Sequence, residues 1–348
     1  IGFEEGFKSM TINLKQLSKL LKLSPTTVSR ALADYPDVSA KTRARVKQMA
    51  IQHGYQPNPV ARRLQKGKTE TIGIVITPEQ NYFSDTFFID LLSGISNQIT
   101  RAGYELILGV ASDEEHEMQS MRRMVEGKRV DGMILTLIRE QDPRVGYLLD
   151  RDFPFVLYGR TRETRPYAFV DMDGKQAFEK ACTYLAGLGH RRIALLNGEP
   201  GFMFPVGCRE GYESGLFLSG LELDPDLIRE WKHKDPSQSS YRWTLELFKN
   251  DNPPTAILFQ TEAVNGIFKA LDELDLQPGK DVALIGYDDL EIARIHRPSL
   301  SVLRPQAREA GQRVVNILME VIKGEDPGKF QEIHQVEMVI RETSLPPS

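Results

Sequence analysis

Apolar side chains recur along this chain in two rhythms, and the change of rhythm divides it. Leu14, Leu17, Leu20 and Leu21 fall at helical spacing, and Asn13 ahead of them can cap the helix they define. Ser24 followed by Pro25 reads as an N-cap with proline at the first helical position, so a second short helix is joined to the first across Lys22-Leu23-Ser24. A third amphipathic helix and, after Pro57 and Pro59, a short basic one complete this part. From residue 71 the pattern becomes short, near-continuous apolar runs: TIGIVI (71–76), ELILGV (105–110), GMILTL (132–137), PFVLY (154–158), AFVDM (168–172), RIALLN (192–197), AILFQT (256–261) and VALIGY (282–287). Amphipathic stretches such as Phe88 to Ala102 and Gly174 to Gly187 lie between them. Such alternation predicts parallel sheets covered by helices on both faces.

The predicted fold class is therefore α/β: an all-α helix-turn-helix head over residues 10–56, a hinge or linker over 57–68, and a two-lobed, doubly wound parallel-sheet domain over 69–345. A length of 348 residues suits a small head and a large body. Charge follows the same division. Residues 10–68 hold 12 Lys and Arg against 2 Asp and Glu, whereas residues 69–348 hold 31 against 44. A basic head on an acidic body is the asymmetry of a DNA-binding module attached to a part with another task. Thr26, Thr27, Ser29 and Arg30 on the second helix supply hydroxyls for phosphates and a guanidinium for a base edge.

Other chemistries find little support. No GxGxxG turn follows TIGIVI, and GxxxxGK[ST] and GxSxG are absent, so the chain reads as a non-enzyme without a cofactor. Asp171 with Asp173 and Asp288 with Asp289 are paired acids lacking a neighbouring histidine or metal cluster, which fits hydroxyl binding or structure better than acid–base work. Cys182 and Cys208 form no framework and no metal spacing. No apolar run approaches the ~20 residues of a membrane span, and no charged-then-apolar leader is present, so a cytoplasmic, membrane-free protein is expected. Residues 1–9, ahead of Met10, fit none of this and read as a cloning remnant or an upstream start.

The motifs TTVSRAL, SAKTRARV and NPVARRL, followed at once by TIGIVI, resemble the lactose-repressor (LacI/GalR) family of bacterial transcription regulators from about Thr11 to about Thr343. The resemblance implies an operator-binding homodimer whose body, similar to periplasmic sugar receptors, takes a small sugar-like effector; a stand-alone receptor and a nucleobase or phosphorylated effector are the alternatives. It implies base contacts from Thr26 and Arg30, and phosphate contacts from Asn13, Ser24, Thr27, Ser29, Ser39, Thr42, Tyr55 and Asn58; Ser39 and Thr42 can equally cap the third helix. Pro25 departs from the longer polar residue common in relatives and offers only apolar contact to a base. Residues 59–66 would fold on the operator, with Leu64 wedging between base pairs and Ala61 allowing close approach. In the body it implies crossings that return LSVLRP (300–305) to the first lobe and VEMVIRET (336–343) to the second, giving lobes of about 69–167 with 303–330 and about 168–302 with 331–345. Effector contacts are expected from Phe87, Phe88, Arg160, Thr261, Glu262 and above all Asp288. Relatives place an arginine three residues before the glycine of Gly211-Tyr212; here Cys208 stands there, with Arg209 next to it as a replacement. Phe202 and Phe204 nearby read more often as core, and Phe204 is carried as a cleft candidate.

Overall fold

A computed structural model describes residues 12–55, 68–77, 86–231, 236–260 and 263–346. The chain divides into two compact units, residues 1–69 and 70–348.

The described residues of the first unit hold three helices, α1 (Leu14–Leu21), α2 (Pro25–Leu32) and α3 (Ala40–Gln52). Asn13 caps α1 reciprocally: its side chain accepts from the Gln16 N–H at 2.9 Å while Gln16 accepts from the Asn13 N–H at 2.8 Å. Lys22, in the left-handed region at φ 54°, ends α1 and turns the chain into α2. Leu17, Leu21, Val28, Ala31, Val46 and Ala50 meet in one small core. Burial of each larger side chain there contributes about 1.5–3 kcal/mol, which holds three helices each too short to stand alone in water.

The second unit is built on two six-stranded sheets. Its strands are β1 (Thr71–Ile76), β2 (Glu105–Val110), β3 (Gly132–Leu135), β4 (Phe155–Tyr158), β5 (Ala168–Met172), β6 (Ile193–Asn197), β7 (Ile228–Glu230), β8 (Ala256–Gln260), β9 (Ala283–Tyr287), β10 (Ser301–Arg304), β11 (Gln331–His334) and β12 (Glu337–Val339). The first sheet runs β11-β5-β4-β3-β1-β2 and the second β12-β10-β9-β8-β6-β7, parallel throughout except for β10 with β12. Helices α4 (Thr86–Arg101), α5 (Glu114–Glu126), α6 (Pro143–Leu149) and α12 (Ala307–Ile322) accompany the first sheet. The second has α7 (Gly174–Gly187), α8 (Met203–Leu218), α9 (Pro236–Phe248), α10 (Val264–Glu273) and the short α11 (Glu291–Ile295).

Three details differ from the lobe boundaries expected above. Ala168–Met172 pairs with β4 and β11, so it belongs to the first sheet, and the first crossing follows it. Ser301–Arg304 pairs with β9 and β12 and so stays in the second sheet; α12 makes the return. Gln331–His334 pairs with β5, so the last crossing lies between His334 and Glu337. In each case backbone pairing continues past the expected lobe boundary.

Helices α7 and α8 approach closely because Gly211 has no side chain: a Cβ there would stand 2.1 Å from the Lys175 carbonyl oxygen. Gly211→Ala should therefore cost about 1–3 kcal/mol by forcing the helices apart. Gly187→Ala, with nothing within 4 Å of the added carbon, should be neutral or stabilising by up to about 1 kcal/mol. Urea midpoints of the two variants measure this, and equal midpoints would contradict the close-packing account.

Candidate nucleic-acid interface and ligand cleft

Helix α2 presents its polar face to solvent while Val28 and Ala31 bury the other. Ser24 caps it, accepting from the Thr27 N–H at 3.1 Å and bonding the Thr27 hydroxyl at 2.8 Å. Pro25 and Thr26 are exposed at the helix start, and Ser29 is partly exposed. Ser39 caps α3 in the same manner through Thr42. The N-termini of α1, α2 and α3 thus each carry a hydroxyl or amide side chain beside backbone donors, the arrangement that favours phosphate. Tyr55 packs against the head core, and burial raises its hydroxyl pKa.

Arg30 is already engaged. Its guanidinium lies 2.7 Å from the Asp37 carboxylate and 5.0 Å from the centre of the Tyr35 ring. Both charged partners are exposed, and such a pair contributes at most about 1 kcal/mol. A bidentate arginine–guanine contact is worth ~1–3 kcal/mol, so a base edge can win the side chain. Asn58, Ala61 and Leu64 lie outside the described residues.

Between the lobes of the second unit is a cavity of about 760 Å³ lined from both sheets. Phe87, Phe88, Arg160, Phe204 and Asp288 all reach it. Asp288 stands at the carboxyl end of β9 with φ 85°, its N–H donating to Leu303 on β10 at 2.8 Å. A non-glycine residue held in that region is strained, a condition concentrated at ligand sites. Arg160, just after β4, is paired with Asp171 at 2.5 Å. Burial raises the Asp171 pKa, and the arginine opposes that shift. Thr261 and Glu262 lie outside the described residues.

Arg209 does not replace the arginine missing at Cys208. It is absent from the described cavity lining and instead pairs with Glu213 at 2.9 Å and Glu230 at 3.4 Å. Neighbouring residues of a helix point about 100° apart, so a side chain moved one position leaves the inward face. Cys208 itself is fully buried, near Gly174 and Phe204, where burial pushes its thiol well above the usual range.

Other lining residues carry no motif that marks them. Tyr158 faces Phe87 with ring centres 5.8 Å apart, and Tyr287 faces Phe204 at 4.6 Å. Trp231, stacked on Trp243, and Gln260, which donates to Asn197 at 3.3 Å, also line it, as does Phe202. The alternation of strands could have found Tyr158, Gln260 and Tyr287, because all lie at the carboxyl ends where ligands bind in such sheets. Among the described residues no helix is long and apolar enough to cross a membrane.

A solvent-facing, hydroxyl-capped basic helix in one compact unit, and in the other a two-lobed sheet domain with a ligand-sized cleft, define a ligand-responsive transcription regulator. Residues 13–58 match the family model of bacterial regulatory proteins, lacI family, and residues 182–344 that of a periplasmic binding protein-like domain. The transcriptional regulator AglR of Rhizobium meliloti is 35% identical over 344 residues, covering 97% of this chain and 95% of the relative. RafR of Escherichia coli is 33% identical, covering 92% and 95%. Among solved structures, the lac repressor dimer bound to operator and an anti-inducer shares the fold with a TM-score of 0.84 at 23% identity, covering 96% and 99%. The transcriptional regulator CelR–cellobiose complex does so with 0.73 at 23%, covering 95% and 99%. The chain belongs to the lacI family of bacterial regulatory proteins and is a helix-turn-helix regulator of transcription.

Arg30→Ala should weaken binding to an operator recovered by in vitro selection by about 1–3 kcal/mol and change affinity for random-sequence DNA far less. Equal losses on both, measured by fluorescence anisotropy, would mean that Arg30 only neutralises phosphate.

Proposed function

We propose that this chain is a homodimeric repressor of carbohydrate-utilisation genes, acting where the chromosome is, whose operator affinity is set by a neutral sugar bound in the cleft. The observation that carries the choice of ligand is the charge of the cleft. Its described lining holds Asp113, Glu114, Asp171, Glu199, Glu210 and Asp288 against Arg160, Arg162 and Lys175. The bases also have acidic neighbours: Arg160 has Asp171, Lys175 has Glu210 at 3.2 Å, and Arg162 has Glu140 at 2.8 Å. An acid-rich wall repels a phosphate or carboxylate, whereas carboxylates among aromatic rings suit vicinal hydroxyls on a ring with apolar faces. The cellobiose in the CelR complex is a ligand of that kind.

In this reading Asp288 takes hydroxyl hydrogens from one lobe while Phe87 and Tyr158 flank the ligand from the other. Two copies are required because one head reads one half-site, and a pseudo-palindromic operator mirrors a twofold axis. Leu64 is the minor-groove wedge and Ala61 its close-approach neighbour, with phosphates held by Asn13, Ser24, Thr27, Ser29, Ser39, Thr42, Tyr55 and Asn58.

Calorimetric titration of the full-length chain with neutral mono- and disaccharides and their phosphorylated forms tests the ligand class. Neutral sugars should bind and their phosphates should bind at least ~10-fold more weakly, a difference of about 1.4 kcal/mol. Asp288→Ala should weaken the neutral sugar by ~2 kcal/mol, as expected for a lost hydrogen bond to a charged group. Tighter binding of the phosphorylated forms would contradict the proposal.

A further inference from the structure

Away from the crossings, the two lobes meet through a short stretch of paired backbone. The first lobe's residues after β3 run antiparallel to the second lobe's residues at the start of α8, with Arg139 opposite Phe202. The Glu140 N–H donates to the Gly201 carbonyl at 2.9 Å, and the Met203 N–H donates to the Ile138 carbonyl at 2.8 Å. Arg139 and Phe202 are thereby a non-hydrogen-bonded antiparallel pair, the register that brings side chains closest. The Arg139 guanidinium lies 5.5 Å from the centre of the Phe202 ring, within reach of a cation–π attraction. Beside this pair, Arg162 of the first lobe approaches Glu210 of the second at 3.8 Å.

Each side is braced from within its own lobe. Arg139 is largely covered and donates to Glu114 at 3.0 Å and Glu117 at 3.1 Å. Glu117 also accepts from Arg144 at 2.6 Å, Arg144 donates to Asp142 at 2.6 Å, and Asp142 accepts from the Arg139 N–H at 3.2 Å. Glu117, Asp142 and Arg144 are buried, so this ring of charges fixes the loop rather than decorating it: removing one member would leave another buried and unpaired. The Glu140 carbonyl is held by the Arg162 N–H and the Thr161 hydroxyl. In the second lobe, Gly201 has φ 95°, which a side chain would resist. Phe202 is the N-cap of α8 and supplies no side-chain cap. The first N–H of α8, at Met203, has no acceptor within its own helix, and takes a carbonyl of the opposite lobe.

We propose that Arg139 and the 201–203 turn form a clasp across the cleft, through which the first lobe positions Phe202, an aromatic wall of the second lobe's side of the cavity, and resists separation of the lobes. Strands β3 and β6 stand on the far side of β4 and of β8 and β9 from the crossings, so bonds here oppose rotation with a long lever. Ligand exchange and any change of lobe angle require the clasp to break. Its mechanical part is independent of which ligand the cleft holds.

Met203→Pro deletes one cross-lobe donor and fits locally, because proline is accepted at the first helical position and Phe202 before it is already extended at φ −91°, ψ 142°. Met203→Leu keeps the donor. In hydrogen exchange on the full-length protein, the Glu140 amide should be slow in the parent and in Met203→Leu, and about fivefold or more faster in Met203→Pro. One common rate in all three proteins, fast or slow, overturns the clasp. The double variant Arg139→Cys, Phe202→Cys is an independent check, since a close antiparallel pair falls within disulfide reach and Cys182 and Cys208 are buried. Oxidation should close an intrachain disulfide and slow Glu140 exchange relative to the reduced form; failure to cross-link the folded protein, or a disulfide without slowing, contradicts the proposal.

Discussion

The chain passes between its two sheets three times: after Met172 into α7, after Arg304 into α12, and between His334 and Glu337. All three passages leave from the same end of each sheet, beside β5 and β11 in one and β10 and β12 in the other. Three adjacent covalent connections limit relative motion of the lobes to rotation about that line. The carboxyl ends of both sets of strands face the gap, so every loop able to hold a ligand lies where that rotation opens or closes the space. Asp288 strained after β9, Arg160 after β4 and Asp171 at the end of β5 are consequences of the same geometry.

The departure at Cys208 changes what the cleft can recognise. A fully buried thiol beside Gly174 and Phe204, outside the described cavity lining, stands at a position where a guanidinium would grip an anion or several hydroxyls. The remaining cations in the lining each have an acidic neighbour, so the cleft offers acceptors and aromatic faces more than positive charge. Phe204 against Tyr287 and Phe87 against Tyr158 place such faces on both lobes.

The strands most legible in the sequence were those buried on both sides, because burial demands the continuous apolar runs that mark β1, β3, β6, β8 and β9. Of the edge strands, β2 was legible as ELILGV, whereas β7 and β11 were not. Gln331–His334 alternates between exposed and half-buried positions and reads QEIH, which no hydropathy pattern distinguishes from a loop. That same strand decides where the last crossing lies, and so the lobe boundary was displaced. Head residues were readable because capping couples sequence to geometry within three positions, as at Ser24 with Thr27 and Ser39 with Thr42. The cleft was half readable. The family resemblance pointed to Asp288 and Arg160, but the facing direction of Arg209 and the backbone pairing of Glu140 with Gly201 depend on tertiary placement that no local pattern encodes.

The central claim is that the cleft and the DNA-binding head share one equilibrium, so their ligands must be linked. The direct measurement is operator affinity of the full-length protein with and without a saturating neutral sugar that binds the cleft, and sugar affinity with and without saturating operator. The account predicts the same factor in both directions, between about 5-fold and 150-fold. A sugar whose binding is lost in Asp288→Ala, yet which leaves operator affinity unchanged, would contradict it.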